Sequence, residues 1–160
     1  MNEAAAGPKN AADLLLAMIQ ALRIKQWIKN LLLYAALIFA LKFTELGMVM
    51  DATLGFITFC MVSSAGYIYN DSRDREADAK HPRKCKRPIA SGRLPLGVAY
   101  AEMVGLLLIG FGVAYSLSPV FALVTLLYLA TTLSYTFFFK HHVILDVMFI
   151  SAGFLWRAAA

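Results

Sequence analysis

Three aspartates, Asp71, Asp74 and Asp78, lie in the stretch Asn70-Asp71-Ser72-Arg73-Asp74-Arg75-Glu76-Ala77-Asp78, at the end of an apolar run long enough to cross a bilayer. Their spacing of i, i+3, i+7 puts all three on one face of a helix, with Asn70 and Asp78 bracketing the row. Carboxylates are hard oxygen ligands. A row of them beside a membrane points to Mg²⁺, which is usually held by one or two carboxylates together with a substrate phosphate. The plainer reading is a solvated acidic patch at a helix end. It fits less well, because the residues that follow also suit phosphate chemistry.

Those residues are His81-Pro82-Arg83-Lys84-Cys85-Lys86-Arg87-Pro88-Ile89-Ala90-Ser91-Gly92-Arg93, five of whose thirteen members are Lys or Arg. Such a stretch by itself reads as a basic patch on anionic lipid head groups. Directly after a carboxylate row it suits a site where metal ions and cationic side chains share a diphosphate. Arg is fitted to bidentate phosphate contacts and Lys acts as a point charge, so Lys84 and Arg87 are candidate phosphate ligands. Pro88 and Gly92 shape the loop backbone. A second basic and aromatic stretch, Ser134 to Asp146, offers Tyr135 and Lys140 as further phosphate contacts, with ordinary interfacial anchoring as the alternative. His141 and His142 are adjacent, do not share a helix face, and read as interfacial residues. Glu102 and Arg157 fall inside apolar runs, where ionisable groups are functional candidates by default.

The elements that must position these residues are membrane helices. Of 160 residues, 60% are hydrophobic and only 16% charged, and the mean hydropathy is +0.65. A soluble domain would be nearer half apolar and a quarter charged. The fold class expected is all-α and integral to a membrane. Cys60 and Cys85 sit in an apolar run and a basic loop, which predicts neither a disulfide nor a metal-ligand pair. Residues 1–10 read as disordered. Residues 11–24 place Leu14, Leu15, Met18, Ile19 and Leu22 on a helical face too short to span, which predicts an amphipathic helix on the membrane surface. Arg23, Lys25, Trp27 and Lys29 follow as an interfacial anchor. Apolar runs over 28–43, 52–70, 94–116, 119–139 and 143–160 predict five spans near the ~20 residues that a bilayer core requires, with Ser118-Pro119 as a tight turn.

Charge placement orients them. If five spans alternate, the basic residues of the N-terminal segment, of the loop 71–93 and of the turn at Lys140 share one side. The other side holds Lys42, Glu45 and Asp51. This asymmetry predicts a multi-pass protein of the cell membrane with its N-terminus and the 71–93 loop in the cytoplasm. It also accounts for the net charge of +5 through the membrane, with no nucleic-acid partner expected. The last run reaches Arg157-Ala158-Ala159-Ala160 without a closing anchor, so the chain reads as a fragment.

The row Asn70 to Asp78, in the pattern N-D-x-x-D-x-x-x-D after an apolar helix, resembles the first aspartate-rich motif of the UbiA superfamily of membrane prenyltransferases, as does His81-Pro82-x-Lys84-x-x-Arg87-Pro88-Ile89-Ala90-Ser91-Gly92. Three stretches, Arg23 to Asn30, Lys140 to Val147 and Gly153 to Arg157, resemble its decaprenyl-phosphate phosphoribosyltransferase branch. The resemblance covers residues 20–160 and implies about five of the nine helices of that fold, with a second aspartate-rich region expected beyond residue 160. It implies Mg²⁺-dependent transfer of a phosphoribosyl group from phosphoribosyl diphosphate to a polyprenyl phosphate, for cell-wall polysaccharide precursors. Asn70, Asp71, Asp74 and Asp78 would be the Mg²⁺–diphosphate residues. Lys84, Arg87, Tyr135, Lys140 and, more weakly, Lys29 would contact phosphate. Three other readings stand beside it. An aromatic prenyltransferase of the same superfamily would use a prenyl diphosphate donor. A transporter would need polar residues along mid-membrane helix faces, where the runs 28–43 and 119–139 have almost none. A fragment without activity of its own is the third.

Overall fold

The structure is a computed structural model, and it describes residues 7–136 and 151–158, all of them helix, turn or irregular chain without a strand. The elements are α1 (Ala11–Ala21), a 3₁₀ helix (Ile24–Leu32), α2 (Leu33–Phe39), α3 (Leu46–Arg73), α4 (Arg75–Ala79), a short 3₁₀ turn (Lys84–Lys86), α5 (Leu96–Leu117) and α6 (Pro119–Ser134), followed by a helix over 151–158. Among the described residues two helices are long and apolar enough to cross a membrane, α3 with 28 residues and α5 with 22; α6 is apolar but shorter. At 1.5 Å per residue α3 is about 42 Å long, more than the ~30 Å of a hydrocarbon core. Its last turn, which carries Asn70 and Asp71, therefore has length to spare beyond the apolar layer.

The chain divides into two compact units, Met1–Ile24 with Ser64–Leu106, and Lys25–Ser63 with Leu107–Ala160. In the first, Asn10 caps α1 by accepting a hydrogen bond from the Asp13 amide at 2.8 Å, an N-cap arrangement that satisfies an otherwise orphaned donor. Ala17 and Ala21 of α1 pack with Ile68 of α3, Ile89 and Leu94 of the loop, and Ala99 of α5, flanked by Leu14, Met18 and Leu22. Leu15, Leu16 and Ile19 stay exposed. The apolar face expected over 11–24 is thus divided: Leu14, Met18 and Leu22 join the core, and Leu15 and Ile19 remain exposed. Alanine at 17 and 21 is what allows the close approach of α1.

In the second unit Leu33, Phe59, Val62, Tyr128 and Leu129 form the core. Phe59 packs on Phe121 and Tyr128 with ring centroids 5.9 and 5.1 Å apart. Gly110 lets α5 approach Val62, and a Cβ there would sit 3.2 Å from that side chain, the use of small residues common between membrane helices. Ser118 caps α6 and Pro119 occupies its first turn, in keeping with the turn expected there.

Two expectations change in detail. The run 28–43 is not one continuous α-helix: Ile24–Leu32 is 3₁₀ and only Leu33–Phe39 is α-helical. Nine residues is long for a 3₁₀ helix. Asn30 within it is buried, with its side chain bonded to Cys60 and Ser63 of α3. The helix expected over 52–70 continues to Arg73, so Asp71 lies on α3 and not in a loop. The run 143–160 lies mostly outside the described residues.

Candidate functional site

The backbone barely breaks across the aspartate row. Asp74 leaves the helical region, with φ −88° and ψ 1°, yet its amide bonds the Asn70 carbonyl at 3.0 Å and its carbonyl accepts from the Asp78 amide at 2.8 Å. The row therefore keeps helical pairing from α3 into α4. Asp71 and Asp78 point inward, 4% and 2% exposed. Asp74 Oδ2 accepts from Asn70 Nδ2 at 3.3 Å.

The basic loop folds back over the row. His81 Nδ1 accepts from the amides of Arg83 and Lys84 at 3.2 and 3.3 Å, which fastens the turn ahead of Lys84. Gly92 has φ 78°, a left-handed conformation cheap only for glycine. It lies within the turn that the Leu94 amide closes by bonding the Pro88 carbonyl at 2.9 Å. This fold delivers Arg87. Its Nη1 lies 2.6 Å from Asp78 Oδ2 and 3.1 Å from Asp71 Oδ1, and Lys84 Nζ is 3.8 Å from Asp78 Oδ1.

A third cation comes from the turn after α1. Arg23 adopts φ 53°, unusual for a residue with a Cβ. The turn is held on several sides: the Leu22 carbonyl accepts from Ser64 Oγ at 2.8 Å, the guanidinium lies 5.0 Å from the centre of the Tyr67 ring, and Arg23 Nη2 donates to Asp71 Oδ1 at 2.6 Å. Both guanidiniums meet Asp71 on the same oxygen. Among the described residues Asp71 Oδ2 accepts no hydrogen bond.

The structure thus brings together Asn70, Asp71, Asp74, Asp78, Lys84 and Arg87. It adds Arg23, which the sequence reading placed only in an interfacial anchor. Among the described residues no three His, Cys, Asp or Glu side chains converge as a ready-made metal cluster; Asp71 and Asp78 meet at Arg87 instead. Lys29 and Tyr135 belong to the second unit, Lys29 exposed on the 3₁₀ helix and Tyr135 half-buried just past α6. Lys140, with His141 and His142, lies outside the described residues.

The second unit has a polar centre of its own, built on Arg157. This side chain is 6% exposed. It donates to Asn30 Oδ1 at 2.7 Å, to the Gly153 carbonyl at 2.8 Å and to the Tyr128 hydroxyl at 2.9 Å. It also lies 4.7 Å from the Tyr128 ring centre and 5.7 Å from that of Phe154. All three acceptors are neutral. Glu102, the other ionisable residue within an apolar run, has Oε2 buried without a hydrogen-bond partner among the described residues.

The model of the UbiA prenyltransferase family matches residues 30–160. A decaprenyl-phosphate phosphoribosyltransferase of Corynebacterium glutamicum is 41% identical over 157 residues, an alignment covering 96% of this chain and 46% of that protein. The Mycobacterium tuberculosis protein of the same name is 37% identical over 153 residues, covering 93% and 51%. A 4-hydroxybenzoate octaprenyltransferase of Hydrogenovibrio crunogenus is 33% identical over 96 residues, covering 60% and 33%. The chain spans about half the length of the phosphoribosyltransferases that it matches.

Proposed function

The chain belongs to the UbiA prenyltransferase family, and from that premise we propose that it serves phosphoribosyl transfer from phosphoribosyl diphosphate to a polyprenyl phosphate of the decaprenyl type. The observation that carries this reading is the pair of buried carboxylates, Asp71 and Asp78, packed among Arg23, Lys84 and Arg87 at the end of a membrane-length helix. A diphosphate needs cations around it, and its metal needs hard oxygen ligands.

The donor set fits Mg²⁺ chemically: Asp71, Asp74 and Asp78 supply carboxylate oxygens, and neither guanidinium engages Asp71 Oδ2. Mg²⁺ bound there would neutralise the departing diphosphate. The protein's own cations do the rest. Arg87 and Lys84 orient the diphosphate, Arg through paired N–H donors and Lys as a point charge. In the reaction the bond from the ribose anomeric carbon to the diphosphate breaks, and a bond forms from that carbon to an oxygen of the polyprenyl phosphate. Lys29, Tyr135 and Lys140 are proposed contacts of the lipid phosphate. The isoprenoid tail stays in the apolar phase. The basic residues of the N-terminal segment and of the 71–93 loop support a cytoplasmic orientation for this chemistry, where it would feed cell-wall polysaccharide precursors.

Transfer of a prenyl group to an aromatic acceptor is the second reading, favoured by the match to the octaprenyltransferase. It shares the metal–diphosphate requirement and differs in what receives the group. The test is a transfer assay in membranes carrying the protein, with Mg²⁺, polyprenyl phosphate and labelled phosphoribosyl diphosphate. Label is expected in the lipid fraction and should be lost on chelation. No transfer under these conditions, with transfer from a prenyl diphosphate to an aromatic acid, would replace the first reading by the second.

A further inference from the structure

The carboxylates of the site are already occupied by cations. Asp71 and Asp78 carry two negative charges, and Arg23, Arg87 and Lys84 carry three positive ones within ion-pair distance. With Asp74, the third carboxylate of the row, the six side chains together are neutral. No net negative charge among them draws a divalent cation, and the carboxylate ends of the pairs are buried, 6% and 3% exposed, while the cations stay partly in reach of water. Adding a divalent cation alone would raise these six groups to +2. An oligophosphate arriving with it, carrying about three negative charges, would return the cluster close to neutrality, so each ligand makes the other's binding favourable.

The two guanidiniums are not equivalent. Arg23 leaves a turn pinned by Ser64, rests on Tyr67, and contacts one carboxylate. Arg87 comes from the loop and spreads a single nitrogen across two carboxylates, at 2.6 and 3.1 Å. Its planar fork fits the paired oxygens of a phosphate. We propose that Arg87 is a placeholder cation: it holds Asp71 and Asp78 together until a divalent metal and an oligophosphate arrive jointly, and then exchanges the carboxylates for phosphate oxygens. Arg23 stays on Asp71 Oδ1 throughout. The consequence is that this site discriminates against free metal and takes metal and oligophosphate as a pair. The inference rests on the diphosphate reading of the site and adds the order in which charges change partners.

Two measurements on the purified chain, in detergent, test it with opposite signs. Binding of Mn²⁺ alone is followed by the electron paramagnetic resonance of the free ion. Retention of labelled inorganic diphosphate is measured separately at saturating Mg²⁺. Arg87→Gln should bind Mn²⁺ alone about tenfold more tightly than the unsubstituted chain and hold diphosphate about tenfold more weakly. Adding Asp71→Asn should cancel the gain in Mn²⁺ affinity. A purely structural Arg87 would weaken both. Arg87→Lys keeps the charge without the fork: Mn²⁺ affinity should stay unchanged while diphosphate retention falls. It decides the matter if the Gln variant loses its helical circular dichroism. No gain of Mn²⁺ affinity in a folded Arg87→Gln chain, or undiminished diphosphate retention in Arg87→Lys, overturns the placeholder role. An unsubstituted chain that retains no diphosphate with Mg²⁺ overturns the diphosphate reading itself, and the exchange with it.

Discussion

Asp71 is the residue at which a nearly isosteric change separates chemistry from stability. Asp71→Asn keeps volume and hydrogen-bonding capacity but removes the charge that a metal ion requires, and transfer should fall by about a hundredfold or more, the upper range for losing a metal-supporting contact. The guanidiniums it leaves behind are about a quarter exposed, so water offsets part of their lost ion pairs and the melting temperature should drop only slightly. A circular-dichroism melt beside the transfer assay checks both halves; near-normal transfer would remove Asp71 from the site. The aspartates were legible because type and spacing act together: three carboxylates at helical intervals beside an apolar run have few other uses. Arg23 was not legible. It sits among Lys25 and Lys29 in a stretch where interfacial anchoring explains every cation, and only the left-handed turn after α1, with φ 53°, directs it to Asp71.

At the scale of elements, two short connections decide whether the cations reach the carboxylates. The turn at Arg23 relies on Ser64 Oγ donating to the Leu22 carbonyl. Ser64→Ala should cost about 1 kcal/mol, the usual net worth of one such bond, and should lower transfer more than that loss implies, because Arg23 would then stray from Asp71. The loop turn relies on Gly92. Its φ of 78° makes Gly92→Ala a strained change of about 1 kcal/mol or more, seen as a lower melting temperature together with weaker diphosphate retention as Arg87 loses its register. Unchanged diphosphate affinity in a folded Gly92→Ala chain would show that the loop does not set Arg87. The long helices were legible from apolar run length, since hydropathy reports what a bilayer demands of α3 and α5. Their ends were less so. α3 continues through Arg73 because helical hydrogen bonds persist into a polar motif that hydropathy counts as loop. The stretch 28–43 fails as one helix for a complementary reason: run length takes no account of the partners that Asn30 finds in Cys60, Ser63 and Arg157.

For the molecule as a whole, the second unit is organised around a charge whose acceptors among the described residues are all neutral. Arg157 ties the helix over 151–158 to the 3₁₀ helix through Asn30 and to α6 through Tyr128, and Asn30 in turn reaches α3 at Cys60 and Ser63. Depth in an apolar run marked Arg157 as unusual, but its two side-chain acceptors lie 127 and 29 residues away in sequence, and nothing local names them. The arrangement predicts an unequal pair of variants. Asn30→Leu leaves the buried guanidinium with an unsatisfied Nε donor and should cost about 3 kcal/mol or more, the upper range for an unpaired buried donor on a charged group. Arg157→Met takes the charge away and leaves only neutral groups short of a donor, about 1–3 kcal/mol. The double variant should then be more stable than Asn30→Leu alone, because the second change removes the charge that the first one stranded. Thermal midpoints of the three proteins in one detergent check the order. If Asn30→Leu proves the milder single change, or if the two losses simply add, then the charge of Arg157 is not what holds these segments, and packing of Tyr128 and Phe154 around its stem would account for the cluster.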